Sequence, residues 1–286
     1  MKRKKASLKD LRNDWWTEAK SAIALSNHFQ HHIVALFMAF VHDGKEEHRL
    51  FSGFLYSHFN VPMWITAGHV FENIRQIEKS PTVKITKVEW LDNTLQPPHG
   101  IPLDLSRIHE IRIDERGVDI AIVILPPYYA RLISANDNNS FLTERMWHKL
   151  SHAKPEGYYI VGYPAEKHRL TKRGDSRNLF APLYCVPMNK IEDRPDEYPD
   201  TFWGRPGAFY GKIVPTLSIS DIKFMSGGPI FSIQRGRSNH VRYYLFGVQS
   251  VWLKSKGIVR ATGMETVGAI IDEILKHFHE RQKQSN

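Results

Sequence analysis

Disulfides, long apolar runs and the common cofactor fingerprints are all missing from this sequence, and each gap removes a class of protein. A single cysteine, Cys185, excludes any intramolecular disulfide and with it a disulfide-stapled scaffold. The longest apolar run, Ile33–Val41, is far short of the roughly 20 residues a spanning helix needs. The basic start Met1–Lys5 leads into the charged stretch Ala6–Lys20 rather than the apolar core of a signal peptide, so a soluble, cytoplasmic chain is expected. No glycine-rich loop ends in Lys-Ser/Thr, and no cysteine–histidine spacing fits zinc. His148 and His152 are four apart, yet no third ligand accompanies them. Asn138-Asn139-Ser140 matches a glycosylation acceptor in a chain with no other mark of secretion. The expectation is therefore no cofactor, no metal and no membrane span.

What is present is a chain of 286 residues with ordinary apolar content and a formal net charge of +9, long enough for one large domain or two small ones. The positive balance favours anionic partners without requiring them, and nucleic acid is not the expected partner. Residues 7–27 carry Leu8, Leu11, Trp15 and Ala19 at helical spacing among charged neighbours and predict a helix. Acidic Asp10, Asp14 and Glu18 on it argue against a membrane-surface role. From about residue 31 the texture becomes short β-branched and aromatic runs: Ile33–Val41, His48–Ser57, Met63–Thr66, Val83–Trp90, Ile108–Ile113 and Val118–Leu125. Asp43-Gly44 and Asn60-Val61-Pro62 separate several of them. Such runs without long intervening helices predict a sandwich or barrel.

A second set of strands is expected at Tyr158–Val161, Phe180–Pro187, Phe209–Val214, Pro229–Ile233, Tyr243–Ser250 and Ile258–Thr262. Two polar insertions, the basic Glu166–Asn178 and the acidic, proline-rich Glu192–Pro206, read as surface loops. Val267, Ile270, Ile271, Ile274, Leu275 and Phe278 make one face of a closing amphipathic helix. The expected organisation is a helical extension over 1–30, a first β-unit over 31–130, a linker over 131–156, a second β-unit over 157–263, and a C-terminal helix and tail over 264–286.

Three contexts carry chemistry. Ser226 stands in Lys223-Phe224-Met225-Ser226-Gly227-Gly228-Pro229, where consecutive glycines allow positive φ and close backbone approach and leave a serine at a rigid tip. A serine hydroxyl needs a base. Among fifteen histidines, His69 is singled out because an apolar strand, Met63–Thr66, runs into Ala67-Gly68 and presents the imidazole at its end. Asp119 begins the apolar run Ile120–Leu125, so its carboxylate is expected to be half-sheltered and in need of a partner. Taken singly, each context also fits a bland reading: a turn before a strand, a core histidine, a turn aspartate.

Together, Ser52-Gly53-Phe54-Leu55, Ile65-Thr66-Ala67-Gly68-His69-Val70, Asp119-Ile120-Ala121-Ile122-Val123, Ser226-Gly227-Gly228-Pro229 and Gly247-Val248-Gln249-Ser250 resemble the trypsin/chymotrypsin serine peptidase superfamily. Gly162-Tyr163-Pro164 is similar to a segment of its disulfide-free bacterial members, the Deg-type and glutamyl endopeptidase branches. The resemblance covers about residues 31–278. It implies an all-β fold of two antiparallel six-stranded Greek-key β-barrels, His69, Asp119 and Ser226 as catalytic triad, and the backbone N–H groups of Phe224 and Ser226 as oxyanion hole. It further implies peptide-bond hydrolysis through an acyl-enzyme on protein or peptide substrates, held in control by a regulatory partner or by rearrangement of the oxyanion hole. Ser220, Ser250, Val251 and Trp252 are the implied substrate-binding residues, with Ser250 beside the aspartate and Asp221 near the pocket base. Phe224 replaces the glycine usual two residues before the nucleophile, which sets the resting oxyanion hole in question. Met225 replaces the aspartate of animal proenzymes, so activation by N-terminal cleavage is not expected. Two competing readings are a catalytically silent member used as a peptide- or protein-binding module, and a nucleic-acid binder using the basic stretch Lys167–Arg177.

Overall fold

Two residues at positive φ turn a chain back on itself with the twist that strands prefer, and the first half of the molecule uses that device twice. Asp43 and Gly44 (φ 50° and 75°) join β1 (Ala35–His42) to β2 (Lys45–Phe51), and Phe59 and Asn60 (φ 45° and 67°) join β3 (Phe54–His58) to β4 (Val61–Thr66). The second turn is Phe59-Asn60, with Val61 and Pro62 already in β4, so the turn expected at Asn60–Pro62 begins one residue earlier. A computed structural model describes residues 19–92, 99–113, 118–135, 140–147, 155–173, 176–192, 208–214, 219, 221–235 and 241–284. The remainder of this half is α2 (Gly68–Lys79), β5 (Val83–Asp92), β6 (His99–Pro102), β7 (Glu110–Ile113), β8 (Ile120–Ile124), α3 (Pro127–Ala135) and β9 (Leu142–Thr143). It follows α1 (Ala19–Phe29), the described part of the expected N-terminal helix.

The ladders of this half form a four-stranded sheet, β2-β1-β5-β6, and a five-stranded sheet, β7-β8-β4-β3-β9. They meet at the Ser52-Gly53 bend between β2 and β3, and Trp64 of one sheet packs against Trp90 of the other at 6.2 Å between ring centroids. Where a closed first barrel was expected, the described residues show two separate sheets. Among the described residues no ladder joins β5 or β6 to β7. The second half closes: β10 (Gly157–Gly162), β13 (Tyr184–Lys190), β14 (Ala208–Ile213), β15 (Pro229–Arg235), β16 (Val241–Leu253) and β17 (Ile258–Gly263) form a barrel in the order β10-β13-β14-β17-β16-β15.

Three features depart from expectation. A twelve-residue helix, α2, follows β4 directly, because Val70, Phe71 and Ile74 bury one helical face. Part of the basic insertion is a hairpin of β11 (Arg169–Arg173) and β12 (Ser176–Phe180), not an open loop. In α4 (Met264–Gln284) the buried face ends early: Val267 and Ile271 are buried, whereas Phe278 is 49% exposed beyond the edge of the core. Phe29 of α1 stacks on Phe231 of the barrel at 4.0 Å, so that helix packs on the second half. His148, His152, Asn138, Asn139, Ser220 and residues 193–206 lie outside the described residues. Among the described residues no helix is long and apolar enough to cross a membrane.

Candidate active site

β4 delivers the chain to Thr66, and α2 begins two residues later, so His69 sits on the first turn of a helix rather than at a strand tip. Asp119 immediately precedes β8, the neighbour of β4 in the sheet. The two therefore lie side by side, although 50 residues apart in sequence. Asp119 Oδ1 accepts the His69 backbone N–H at 2.9 Å, and Asp119 Oδ2 lies 2.6 Å from His69 Nδ1. The aspartate side chain is 10% exposed and the imidazole 38%, so the carboxylate is sheltered while the ring reaches solvent. Gly68 is the residue that makes room: a Cβ there would stand 2.8 Å from Asp119 Oδ1.

Ser226 comes from the second half, on the loop that enters β15. Gly227 has φ 86°, and a Cβ on it would overlap Thr66 Oγ1 and crowd the Ala67 nitrogen at 2.8 Å. Gly228 passes equally close to the Val161 carbonyl. The glycine pair thus lets the loop lie flat against the end of β4, next to the start of α2. Gly227 N–H donates to Gln249 O (2.8 Å) and Gln249 N–H to Gly228 O (3.0 Å), which ties the loop to β16.

His69, Asp119 and Ser226 line one open cavity of about 1000 Å³, together with Phe224, Ser250, Val251, Trp252 and Arg260. Among the described residues no hydrogen bond joins Ser226 to His69. Ser250 lies at an irregularity in the β16–β17 register, and its hydroxyl donates to Arg260 O at 3.3 Å rather than to Asp119. Asp221 does not line the cavity. It accepts the Lys223 N–H and the Lys254 ammonium, each at 2.7 Å. Partial burial alone would raise its carboxyl, but those two donors outweigh it and hold the group below the usual range.

Phe224 adopts φ 74°, the left-handed conformation that glycine takes at no cost and a side chain takes at about 1–2 kcal/mol. Three contacts hold it there. Its carbonyl accepts the Ser52 hydroxyl at 2.8 Å. Its ring stacks on His168 at 6.0 Å between centroids, and Lys223 Nζ lies 5.3 Å over it. The preceding carbonyl, of Lys223, accepts the Ala165 N–H at 2.8 Å. In a trans peptide the N–H points opposite to the C=O, so the Phe224 N–H is directed away from Ala165.

Sequence reasoning missed the residues that hold this loop. Ser52 Oγ donates to Phe224 O and accepts the Tyr163 N–H at 3.1 Å, and Thr66 Oγ1 donates to Ser52 O at 2.7 Å. Ser52 and Tyr163 both stood within quoted motifs, but nothing local in the sequence shows that one hydroxyl bridges two segments more than 100 residues away.

No protein-family model matches the chain, and no curated protein matches it. Among solved structures the chain is similar to Protease Anisep from Arthrobacter nicotinovorans, at 15% identity and a TM-score of 0.43, over 82% of this chain and 90% of that one. It is also similar to GrC, at 12% identity and a TM-score of 0.46, over 87% of this chain and 96% of that one.

Proposed function

We propose that this chain is a serine endopeptidase with Ser226 as nucleophile, His69 as general base and Asp119 as the group that orients the base. The observation that carries the reading is the doubly bonded His69–Asp119 pair opening onto the cavity that Ser226 also lines. A carboxylate only accepts, so His69 Nδ1 carries a proton, and in the neutral ring the Nε2 lone pair is the one that can receive the serine proton. As Ser226 Oγ attacks a peptide carbonyl, Nε2 takes the hydroxyl proton, and the sheltered Asp119 stabilises the imidazolium that forms. The imidazolium then protonates the leaving amine, and water reverses the sequence on the acyl-enzyme. Nucleophile–base contacts of this kind tighten on substrate binding, so the Ser226–His69 bond is expected to form in the substrate complex.

The backbone N–H groups of Phe224 and Ser226 would receive the oxyanion. Anchoring of the Lys223 carbonyl to Ala165 supports a hole formed at rest despite the side chain at 224. One such donor is worth about 2.7–4 kcal/mol in comparable sites. Among the described residues β15 pairs with β16 only as far as Val248, which leaves one edge of Ser250–Leu253 without a described partner strand beside the cavity, where an extended substrate can add as a strand. In this reading the two sheets and the closed barrel are the two halves of a chymotrypsin-like fold.

A fluorophosphonate probe tests the proposal. The purified protein is expected to label, and Ser226→Ala and His69→Ala to abolish labelling. A protein that never labels, or that labels equally well after Ser226→Ala, instead supports a peptide-binding module, the reading favoured by the unmade Ser226–His69 bond.

A further inference from the structure

The nucleophile loop lies at the start of α2, so the rest of that helix carries the cavity away from Ser226. At 3.6 residues per turn, His69, Asn73, Gln76 and Ser80 fall within about 60° of the helix circumference, and all four line the cavity. Val70, Phe71 and Ile74 occupy the next sector and pack into the core of the first half. Arg75, on the far side, donates from Nε to Glu110 Oε1 of β7 at 2.9 Å. The helix is therefore held from behind while its remaining stripe faces the cavity. From His69 to Ser80 that stripe is about 16 Å long, the span of about five extended residues.

The other wall of this arm is the β1–β2 hairpin. Phe40 and His42 alternate on β1, as do Glu47, Arg49 and Phe51 on β2, and Phe40 pairs with Glu47, so all five share the face that lines the cavity. Val83 of β5, opposite His42, extends that face. The two permanent charges of the arm cancel: Arg49 bonds Glu47 at 3.2 Å and lies 5.7 Å over the Phe40 ring. Phe40, Phe51 and Val83, with Val70 and Ile77 of the helix, give the arm an apolar floor. Asn73 and Gln76 stand exposed on its rim, and among the described residues neither side chain makes a hydrogen bond. They are neighbours on the helix surface, and each primary amide offers the donor and the acceptor that a peptide unit needs.

The direction of a bound peptide follows from the chemistry of its leaving group. The acyl half adds along Ser250–Leu253. The imidazolium of His69 must reach the departing amine, so the chain beyond that amine leaves on the His69 side, where α2 begins. We infer that the arm between α2 and the β1–β2 hairpin clamps the leaving half of the substrate. Asn73 and Gln76 bond its backbone, and the floor of Phe40, Ile77 and Val83 takes large aliphatic side chains within about five residues of the scissile bond. The inference rests on the endopeptidase reading for the direction of the peptide, but binding in the arm is measurable without turnover. A trough open on one side removes only part of a leucine side chain from water, so leucine is favoured over serine by about tenfold. Each exposed amide contributes about threefold.

The test uses Ser226→Ala protein and two hexapeptides with a free amino terminus and fluorescein on the C-terminal lysine: Ala-Leu-Ser-Leu-Ser-Lys and Ala-Ser-Ser-Ser-Ser-Lys. Polarisation titrations are expected to give the leucine peptide about tenfold tighter binding. Asn73→Ala together with Gln76→Ala should weaken the leucine peptide by about tenfold, and Ile77→Ser should bring the two peptides closer together. Equal binding of the two peptides, no binding at millimolar concentration, affinities unmoved by the double substitution, or a ratio unchanged by Ile77→Ser overturns the inference. Asn73 and Gln76 are exposed, so their double variant decides the matter even if Ile77→Ser does not fold. Fluorophosphonate labelling of the unsubstituted chain is read separately. A protein that labels at Ser226 but binds both peptides alike keeps the hydrolase and loses the clamp. One that binds the leucine peptide through Asn73 and Gln76 but never labels keeps the clamp as a peptide-binding surface and loses the hydrolase.

Discussion

At Phe224 two residue-level terms oppose each other. The left-handed backbone penalises any Cβ, whereas the ring gains its stack on His168 and its cation contact with Lys223. Substitution separates them. Phe224→Ala keeps the backbone penalty and loses the ring, so it is expected to be less stable than the parent by about 1–2 kcal/mol in urea titrations. Phe224→Gly loses the same contacts and relieves the penalty, and should exceed Phe224→Ala in stability by about 1 kcal/mol, reversing the usual order of these two residues. An alanine variant as stable as the glycine variant would show that the left-handed conformation is not held in solution. The sequence made the substitution at 224 visible but not its solution. The Ser226-Gly227-Gly228 pattern announced a tight loop, while the hydroxyl and amide that hold it, on Ser52 and Ala165, are distant in sequence and carry no local signature.

Among the elements, strands and the amphipathic part of α4 were legible because their periodicity is local. Helix α2 was not, since Val70, Phe71 and Ile74 fall at helical spacing directly behind an apolar strand, and the two patterns merge. The attachment of α4 was likewise hidden. Trp147 Nε1–H donates to Tyr56 Oη (2.7 Å), that hydroxyl lies 3.2 Å from His58 Nδ1, and His58 Nε2 lies 2.8 Å from Asp272 Oδ1. The carboxylate end fixes one direction: a carboxylate only accepts, so His58 donates from Nε2 to Asp272. Gly268 completes the joint, because a Cβ there would stand 2.7 Å from the Trp147 ring. The residue at 58 is buried, with its side chain 2% exposed, so removing its acceptor strands a donor. Because the Asp272 side chain is 62% exposed and water can take the place of its carboxylate, Asp272→Ala is expected to cost about 1 kcal/mol, the low end for a stranded donor, and Asp272→Asn, which keeps an acceptor oxygen, less. Equal losses in chemical denaturation would mean that the chain of bonds does not hold the helix.

For the whole molecule the decisive feature is that the candidate triad is assembled from both halves, so whatever locks them together also sets the site. The closed second barrel was legible in the order of its strands, but among the described residues the first half shows two separate sheets; closure depends on ladders between strands far apart in sequence. Two partly buried histidines sit near the candidate site loop and the first strands. His168 Nε2 lies 3.1 Å from the Tyr163 carbonyl, and His32 Nδ1 lies 2.9 Å from the Ser140 carbonyl. Burial pushes both imidazoles down to about 4, only partly offset by those carbonyl contacts. Between about 6.5 and 4 the unfolded chain therefore binds protons at these positions that the folded chain refuses, and stability must fall as pH drops through that window and be fully present above it. Each histidine contributes at most about 1.4 kcal/mol per pH unit. Melting temperatures measured from pH 7.5 to 4 are expected to decline below about 6.5, and His168→Gln should flatten that decline relative to the parent chain. A decline of unchanged steepness in His168→Gln would show that the imidazole against Phe224 is not sheltered in the folded state, and that the ring stack does not hold Phe224 in solution.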